Sequence, residues 1–174
     1  MGAYEFVPYV SYDIQPYALV TPSEVVSTGI DELVSVRLMN VGTTTVTSAV
    51  IDWSFNGVAQ TAVTWSGSLS GGSSVVVVLD TVTPISGINS VMVYTSLLND
   101  TIKFNDTLVV NLFSCDSMYN GSYTVGTGGN FASLDAALSS MNICGINGPV
   151  ELLLSSGTYS PLSLFGSVKG ASTV

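Results

Sequence analysis

The chain has 174 residues, enough for one medium domain or two small ones, and it carries 3 Lys and Arg against 12 Asp and Glu with no histidine. Three dispersed cations cannot neutralise a phosphate backbone, so the composition excludes nucleic-acid binding, and the missing histidine excludes Ser-His-Asp and Cys-His relays. Because 47% of the residues are hydrophobic and only 9% are charged, disorder is excluded as well, and serine and threonine must supply most of the surface polarity.

Short runs of alternating apolar and polar residues fill the chain from about residue 13 to residue 113. The predicted strands are residues 14–20, 31–39, 46–55, 58–65, 74–80, 88–97 and 106–113. Turn signals separate these runs, and Asn56-Gly57 between two of them predicts a hairpin. The spacing predicts an immunoglobulin-like antiparallel β-sandwich over residues 12–114, with Trp53 in its core and Trp65 partly exposed.

After Cys115 the pattern changes to one helix and strands of a buried type. The predicted elements are a strand at residues 123–125, a helix at 131–142, and strands at 150–154 and 160–165. Asn130 is expected to cap the start of the helix, and Gly145 follows its end. The continuous apolar run of residues 150–154 predicts a strand that is buried on both faces.

Three motifs of the first part carry a family resemblance: VSVRLMNVG at residues 34–42, IDWSFNG at 51–57 and WSGSLSG at 65–71. Together with the stretch 97–107, they resemble the CARDB-like immunoglobulin modules of large secreted bacterial proteins. The resemblance covers about 100 residues. It implies an extracellular, non-catalytic module for this part of the chain.

The second part, residues 115–174, carries a different resemblance. NGSYTVG at 120–126, the predicted helix, CGINGPV at 144–150 and SGTY at 156–159 resemble the N-terminal cap and first rungs of a pectate-lyase-like right-handed parallel β-helix. Residues 2–6, within a segment 1–11, look like the last strand of a preceding β-helix. The combination implies a window from a tandem array in a long surface protein of Bacteroidota, exported by the type IX route.

Two cysteines, Cys115 and Cys144, are the only ones in the chain. In a secreted protein such a pair favours a disulfide, and two buried free thiols are the alternative. No aliphatic run is long enough to span a membrane, because the longest, residues 75–79, falls far short of about 20 residues.

Acidic and amide side chains gather near one predicted end of the sandwich at Asn99, Asp100, Asn105 and Asp106. Their oxygens are ligands that suit Ca²⁺, and no other cofactor or metal is expected. Since the EF-hand spacing is absent, a solvated turn is the favoured interpretation and a calcium site the alternative.

Four of the eight aspartates begin an Asp-Ser/Thr-hydrophobic triplet. The pattern resembles the O-glycosylation signal of secreted Bacteroidota proteins and predicts modification at Thr81, Thr101, Thr107 and Ser117. Thr101 and Ser117 are expected to be the most accessible, since Thr81 and Thr107 each border an alternating strand. The alternative is turn chemistry alone.

These observations predict a non-catalytic structural or adhesive segment of a long extracellular surface or filament protein. Its expected partners are neighbouring repeats of the same chain. The alternatives are an accessory module of a secreted β-helix polysaccharide lyase or hydrolase, and a glycan-binding module whose partners are surface glycans.

Overall fold

The structure, a computed structural model, describes residues 10–159, 168 and 170. The chain divides after Ser114 into two compact units. The elements are β1 (Ile14–Thr21), β2 (Val25–Ser27), β3 (Glu32–Asn40), β4 (Val46–Phe55), β5 (Val58–Ala59), β6 (Val63–Leu69), β7 (Ser74–Val82), β8 (Gly87–Ser96), β9 (Thr107–Cys115), β10 (Tyr119–Val125), α1 (Leu134–Cys144) and β11 (Ile146–Leu154). No helix of the described residues is long and apolar enough to cross a membrane.

The first unit contains two sheets. One has the strand order β1-β3-β7, and the other has the order β2-β9-β8-β4-β5, with β6 also paired to β4. The pairs β1/β3, β3/β7, β4/β8 and β8/β9 are all antiparallel. Side chains from both sheets form a single hydrophobic cluster, so the first unit is a β-sandwich.

The period-two alternation of the sequence decides which side chains enter this core. On β3, Val34, Val36 and Leu38 are fully buried, and on β4 Ile51 and Trp53 are buried opposite them, as the sequence predicts. The Trp53 indole Nε1–H donates to the Thr61 carbonyl at 3.0 Å, which satisfies its only polar group.

The predicted strand at 58–65 is interrupted. Only the two residues that follow the Asn56-Gly57 turn are paired in its tight hairpin. Both turn residues have positive φ, 50° and 77°, as a two-residue hairpin turn requires. After this short β5, three residues intervene before β6 pairs with β4, so one predicted strand becomes two. The three-residue β2 was not predicted.

The second unit is built from β10, α1 and β11. Strands β10 and β11 pair in parallel, with Tyr123 opposite Leu152, and α1 connects them. Val125, Ala137 and Met141 form the buried centre of this unit, against which Val150 and Leu152 pack.

The helix begins three residues later than predicted, so the expected cap at Asn130 is wrong. Phe131 still bridges to Val125 in a β-like pairing, and the Asn130 side chain accepts from the Thr124 backbone N–H at 2.8 Å. Ser133 is the N-cap instead, and its hydroxyl accepts from the Ala136 N–H at 3.1 Å.

Strand β11 is not buried on both faces, which corrects another expectation. Its side chains alternate between half-buried and exposed, and Leu153 and Leu154 are 46% and 50% exposed. The predicted segments at residues 2–6 and 160–165 lie outside the described residues.

Candidate functional site

The acidic and amide residues singled out from the sequence lie at one end of the first unit. Asp100 is held by the backbone: its Oδ2 accepts from the Ile14 N–H at 3.1 Å and its Oδ1 from the Ile102 N–H at 2.9 Å. These bonds bring the β8–β9 loop against the start of β1. Asn99 stands apart from the others, exposed in the turn with a φ of 68°.

Asp13, just before β1, joins this cluster although the sequence did not point to it. Its carboxylate Oδ1 accepts from the Asn105 Nδ2 at 2.9 Å, and its side chain is buried. The backbone carbonyl of Asp13 accepts from the N–H groups of Val41 and Gly42 at 3.0 and 3.2 Å. The two carboxylate-bearing segments are therefore fixed in place by the backbone.

Asp106 is the most deeply buried member, with 0% of its surface exposed. Its backbone carbonyl accepts from the Thr95 N–H at 2.9 Å, which anchors the residue at the start of β9. Its Oδ2 lies 3.2 Å from the Nζ of Lys103, whose side chain is about half exposed. The Asp106 Oδ1 and the Asn105 Oδ1 are buried without a hydrogen-bond partner.

The electrostatics follow from burial and crowding. Burial raises the pKa of Asp13, the Asn105 hydrogen bond opposes that rise, and the charges of Asp100 and Asp106 add to it. Burial likewise raises the pKa of Asp106, against the stabilising contact with Lys103. Desolvation lowers the pKa of Lys103, but Asp106 outweighs it and the net shift is upward.

We call Asp13, Asp100, Lys103, Asn105 and Asp106 the end cluster. Asp100 and Asp106 are buried, so the interpretation as a solvated turn does not hold for these two residues, whereas Asn99 is exposed in a turn. Lys103 and Asp13 were missed: Asp13 is 92 residues from its partner Asn105, and no local pattern marks it. Within the described residues, no three acidic, histidine or cysteine side chains are placed to share one metal ion.

The cysteines lie in the second unit and are joined. The Cys115 and Cys144 sulfur atoms are bonded at 2.08 Å, across 29 residues of sequence. This bond ties Cys115, the first residue of the second unit, to the C-terminal end of α1.

The four predicted glycosylation residues are all exposed: Thr81, Thr101, Thr107 and Ser117. Burial therefore gives no reason to rank Thr101 and Ser117 above Thr81 and Thr107 as sites of modification. The Thr81 backbone N–H donates to the Asp80 carboxylate at 2.8 Å.

Neither of the two tryptophans forms an exposed flat platform. Trp53 is buried and Trp65 is half-buried, as the sequence predicts. In the second unit, Tyr119, Tyr123 and Phe131 pack on one another with ring centroids 5.3–5.8 Å apart.

A cleft of about 420 Å³ opens on the second unit beside the start of α1. Ser133, Asp135, Ser155 and Thr158 line it with hydroxyl and carboxylate groups. Tyr159 borders it, and its hydroxyl group contacts the carbonyls of Val125 and Ser155 at 3.1 and 2.7 Å. The cleft therefore offers many hydrogen-bonding groups and few apolar ones.

Comparison with solved structures places the fold of the first unit. The CARDB domain of the PF1109 protein from Pyrococcus furiosus, crystallised in complex with di-metal ions, matches with a TM-score of 0.50 and 16% identity, over 64% of this chain and 95% of that one. A domain (residues 272–376) of a protein provisionally assigned to the cell surface of Methanosarcina acetivorans matches with a TM-score of 0.50 and 18% identity, over 64% and 98%.

No protein-family profile matches the chain, and no curated protein matches it. At these identities the likeness to solved structures concerns the fold alone. The chain is mainly β, and its sandwich has the immunoglobulin-like fold of CARDB domains.

Proposed function

We propose that the chain is a non-catalytic structural or adhesive segment of a long extracellular bacterial protein. The observation that carries this proposal is a complete CARDB-type sandwich whose buried amides bind its own backbone. Asn40 donates to the carbonyls of Thr44 and Leu69, and Asn89 donates to those of Ile85 and Gly87. Polar groups used in this way serve the fold and are not free for chemistry.

An extracellular location is supported by two independent features. Disulfides persist in oxidising compartments, and the Cys115–Cys144 bond is of that kind. A neighbour of the same fold is provisionally assigned to a cell surface. A surface with few charges and many hydroxyl groups suits a structural spacer.

The second unit is proposed as the beginning of a right-handed β-helix. Its proposed partners are then the neighbouring repeats of the same chain. Its support is the parallel pairing of β10 with β11 through α1, since successive strands of a parallel β-helix also pair in parallel. The sequence resemblance of residues 115–174 points the same way.

A glycan-binding or accessory role in a polysaccharide-degrading enzyme is the second candidate. The cleft beside α1 favours it, because its hydroxyl and carboxylate groups match the hydrogen-bonding groups of a sugar. A glycan array with the 174-residue chain tests it, with Asp135→Ala as the variant that must lose any signal seen.

Localisation and activity together test the main proposal. Antibodies against this chain should label the outside of intact cells of the native host and lose the label in a deletion strain. The purified chain should not turn over pectin or related polyuronates. Labelling confined to the cell interior, or turnover of a polyuronate, would contradict the proposal.

The four exposed hydroxyl residues belong to the same proposal as sites of O-glycosylation. A glycan adds solubility to a weakly charged extracellular array without adding charge. Because all four side chains are exposed, a modifying enzyme has access to each of them.

A further inference from the structure

The end cluster holds carboxylate and amide oxygens that have no partner of their own. The Asp106 Oδ1 and the neighbouring Asn105 Oδ1 are buried and accept no hydrogen bond. A buried carboxylate oxygen without a partner is costly, and native structures rarely keep one unless a water or an ion completes it. A cation or a hydrogen-bond donor is therefore expected beside these two oxygen atoms.

Negative charge exceeds positive charge in the same place. Asp13, Asp100 and Asp106 are carboxylates, and among the described residues Lys103 is the one ammonium that faces them, so these ionised groups sum to a net charge of −2. Tyr94 also faces Lys103. The Asp100 side chain is fixed in this position, because both of its carboxylate oxygens accept hydrogen bonds from backbone N–H groups.

Lys103 neutralises only part of this charge. Its ammonium contacts the buried Asp106 Oδ2 at 3.2 Å, and its own side chain is about half exposed. A half-exposed lysine loses side-chain entropy in such a contact, and this loss offsets part of the attraction. A divalent ion can therefore displace this ammonium into solvent.

We propose that the end cluster binds one calcium ion through Asp13, Asn105 and Asp106. The negative charge of Asp100 adds to the attraction, and the ion displaces the Lys103 ammonium. Two carboxylates and one amide are hard oxygen ligands, and water completes the coordination. Calcium fits better than magnesium because it accepts irregular ligand sets of six to eight oxygens, whereas magnesium demands near-octahedral geometry. The ligands come from two distant segments, so the ion would clamp the start of β1 to the β8–β9 loop.

The affinity is expected to be weak, because only two of the three proposed ligands are charged. Extracellular modules bind calcium with dissociation constants of about 10⁻⁴–10⁻³ M, and this site belongs in that range. Such an affinity suits an extracellular array, a match that rests on the proposed function, whereas binding itself does not.

The test is calorimetric titration of the whole 174-residue chain, stripped with chelator, with calcium chloride. We expect one ion per chain and a rise in the thermal midpoint of tryptophan fluorescence, with magnesium chloride at equal ionic strength giving a weaker effect. Both tryptophans lie in the first unit, so this signal reports on the unit that holds the site.

Three variants separate the site from nonspecific charge effects. Lys103→Met should bind calcium several-fold more tightly, because the competing ammonium is gone, and its exposed position makes folding safe. Asp106→Asn should lose at least ten-fold in affinity. Asp52→Asn, exposed on β4 of the same unit, removes the same charge away from the cluster and should leave binding unchanged.

Absence of binding heat and of any midpoint shift at about 10 mM calcium, well above the expected dissociation constant, would overturn the proposal. Equal loss of affinity in Asp52→Asn and Asp106→Asn would overturn it too, as would weaker binding by Lys103→Met. None of these outcomes depends on where the protein acts, so the site can fail while the proposed function stands.

Discussion

Replacing Asn40 by alanine should destabilise the sandwich strongly, although the side chain touches no ligand and no partner. Asn40 is fully buried at the end of β3. Its Nδ2 donates to the Thr44 and Leu69 carbonyls at 2.9 and 2.8 Å, and its Oδ1 accepts from the Gly42 N–H at 3.1 Å. One amide thus holds two separate turns together.

The magnitude follows from these three hydrogen bonds. At about 1 kcal/mol net for each bond, their loss costs about 3 kcal/mol, and buried backbone groups left without partners add to it. The Gly42 N–H keeps a second acceptor, the Asp13 carbonyl at 3.2 Å, so the two orphaned carbonyls dominate the cost. Asn40→Asp should destabilise at least as much, because a carboxylate cannot donate to either carbonyl and buries a charge.

Urea unfolding followed by tryptophan fluorescence measures this effect in the first unit alone. With a urea slope of about 2 kcal/mol/M, the midpoint of Asn40→Ala should fall by about 1.5 M. Asn111→Ala is the matched control, because Asn111 is exposed on β9, and its midpoint should stay close to that of the parent. A midpoint for Asn40→Ala equal to that of the control would refute the hydrogen-bond argument.

Three further predictions concern the second unit and the surface. The intact mass should rise by two hydrogen atoms on reduction of the Cys115–Cys144 bond, and two thiols that react in the unreduced protein would contradict this prediction. Reduction should also lower the free energy of unfolding by about 3–4 kcal/mol, as expected for a loop of 29 residues. Ser133→Ala should destabilise α1 by about 1 kcal/mol and speed hydrogen exchange across residues 134–144, whereas Ser139→Ala, exposed in mid-helix, should not. Peptide mass spectrometry on protein from the native host should find glycan on at least one of four residues, and four bare peptides would leave turn chemistry as the explanation: Thr81, Thr101, Thr107 and Ser117.

Local patterns in the sequence predicted most of the strands and the core of the first unit, although they missed β2 and did not separate β5 from β6. Alternation of apolar and polar residues put Val34, Val36 and Leu38 on the buried face of β3, and Asn56-Gly57 made the hairpin. Both signals act over a few residues, because strand periodicity and turn conformation are properties of neighbouring backbone dihedrals. They needed no knowledge of the rest of the chain.

The start of α1 could not be predicted from the local sequence alone. Asn130 and Ser133 are both residue types that cap helices, and nothing between them in the sequence ranks one above the other. The bridge of Phe131 to Val125 decided the matter, because it keeps the backbone extended until after Asn130. A tertiary contact thus chose between two equal local candidates.

The end cluster depended on the tertiary structure entirely. The sequence supplied three of its residues, Asp100, Asn105 and Asp106, as part of a solvated turn or, alternatively, a calcium site. It gave no hint of Asp13, which lies 92 residues from Asn105. The burial of a side chain and its proximity to a remote segment depend on how the sheets pack. Neither can be recognised from the presence of an aspartate in the sequence. Composition and periodicity determined that this chain is a sparsely charged β protein, whereas the packing of β1 against the β8–β9 loop decided where its negative charge is concentrated.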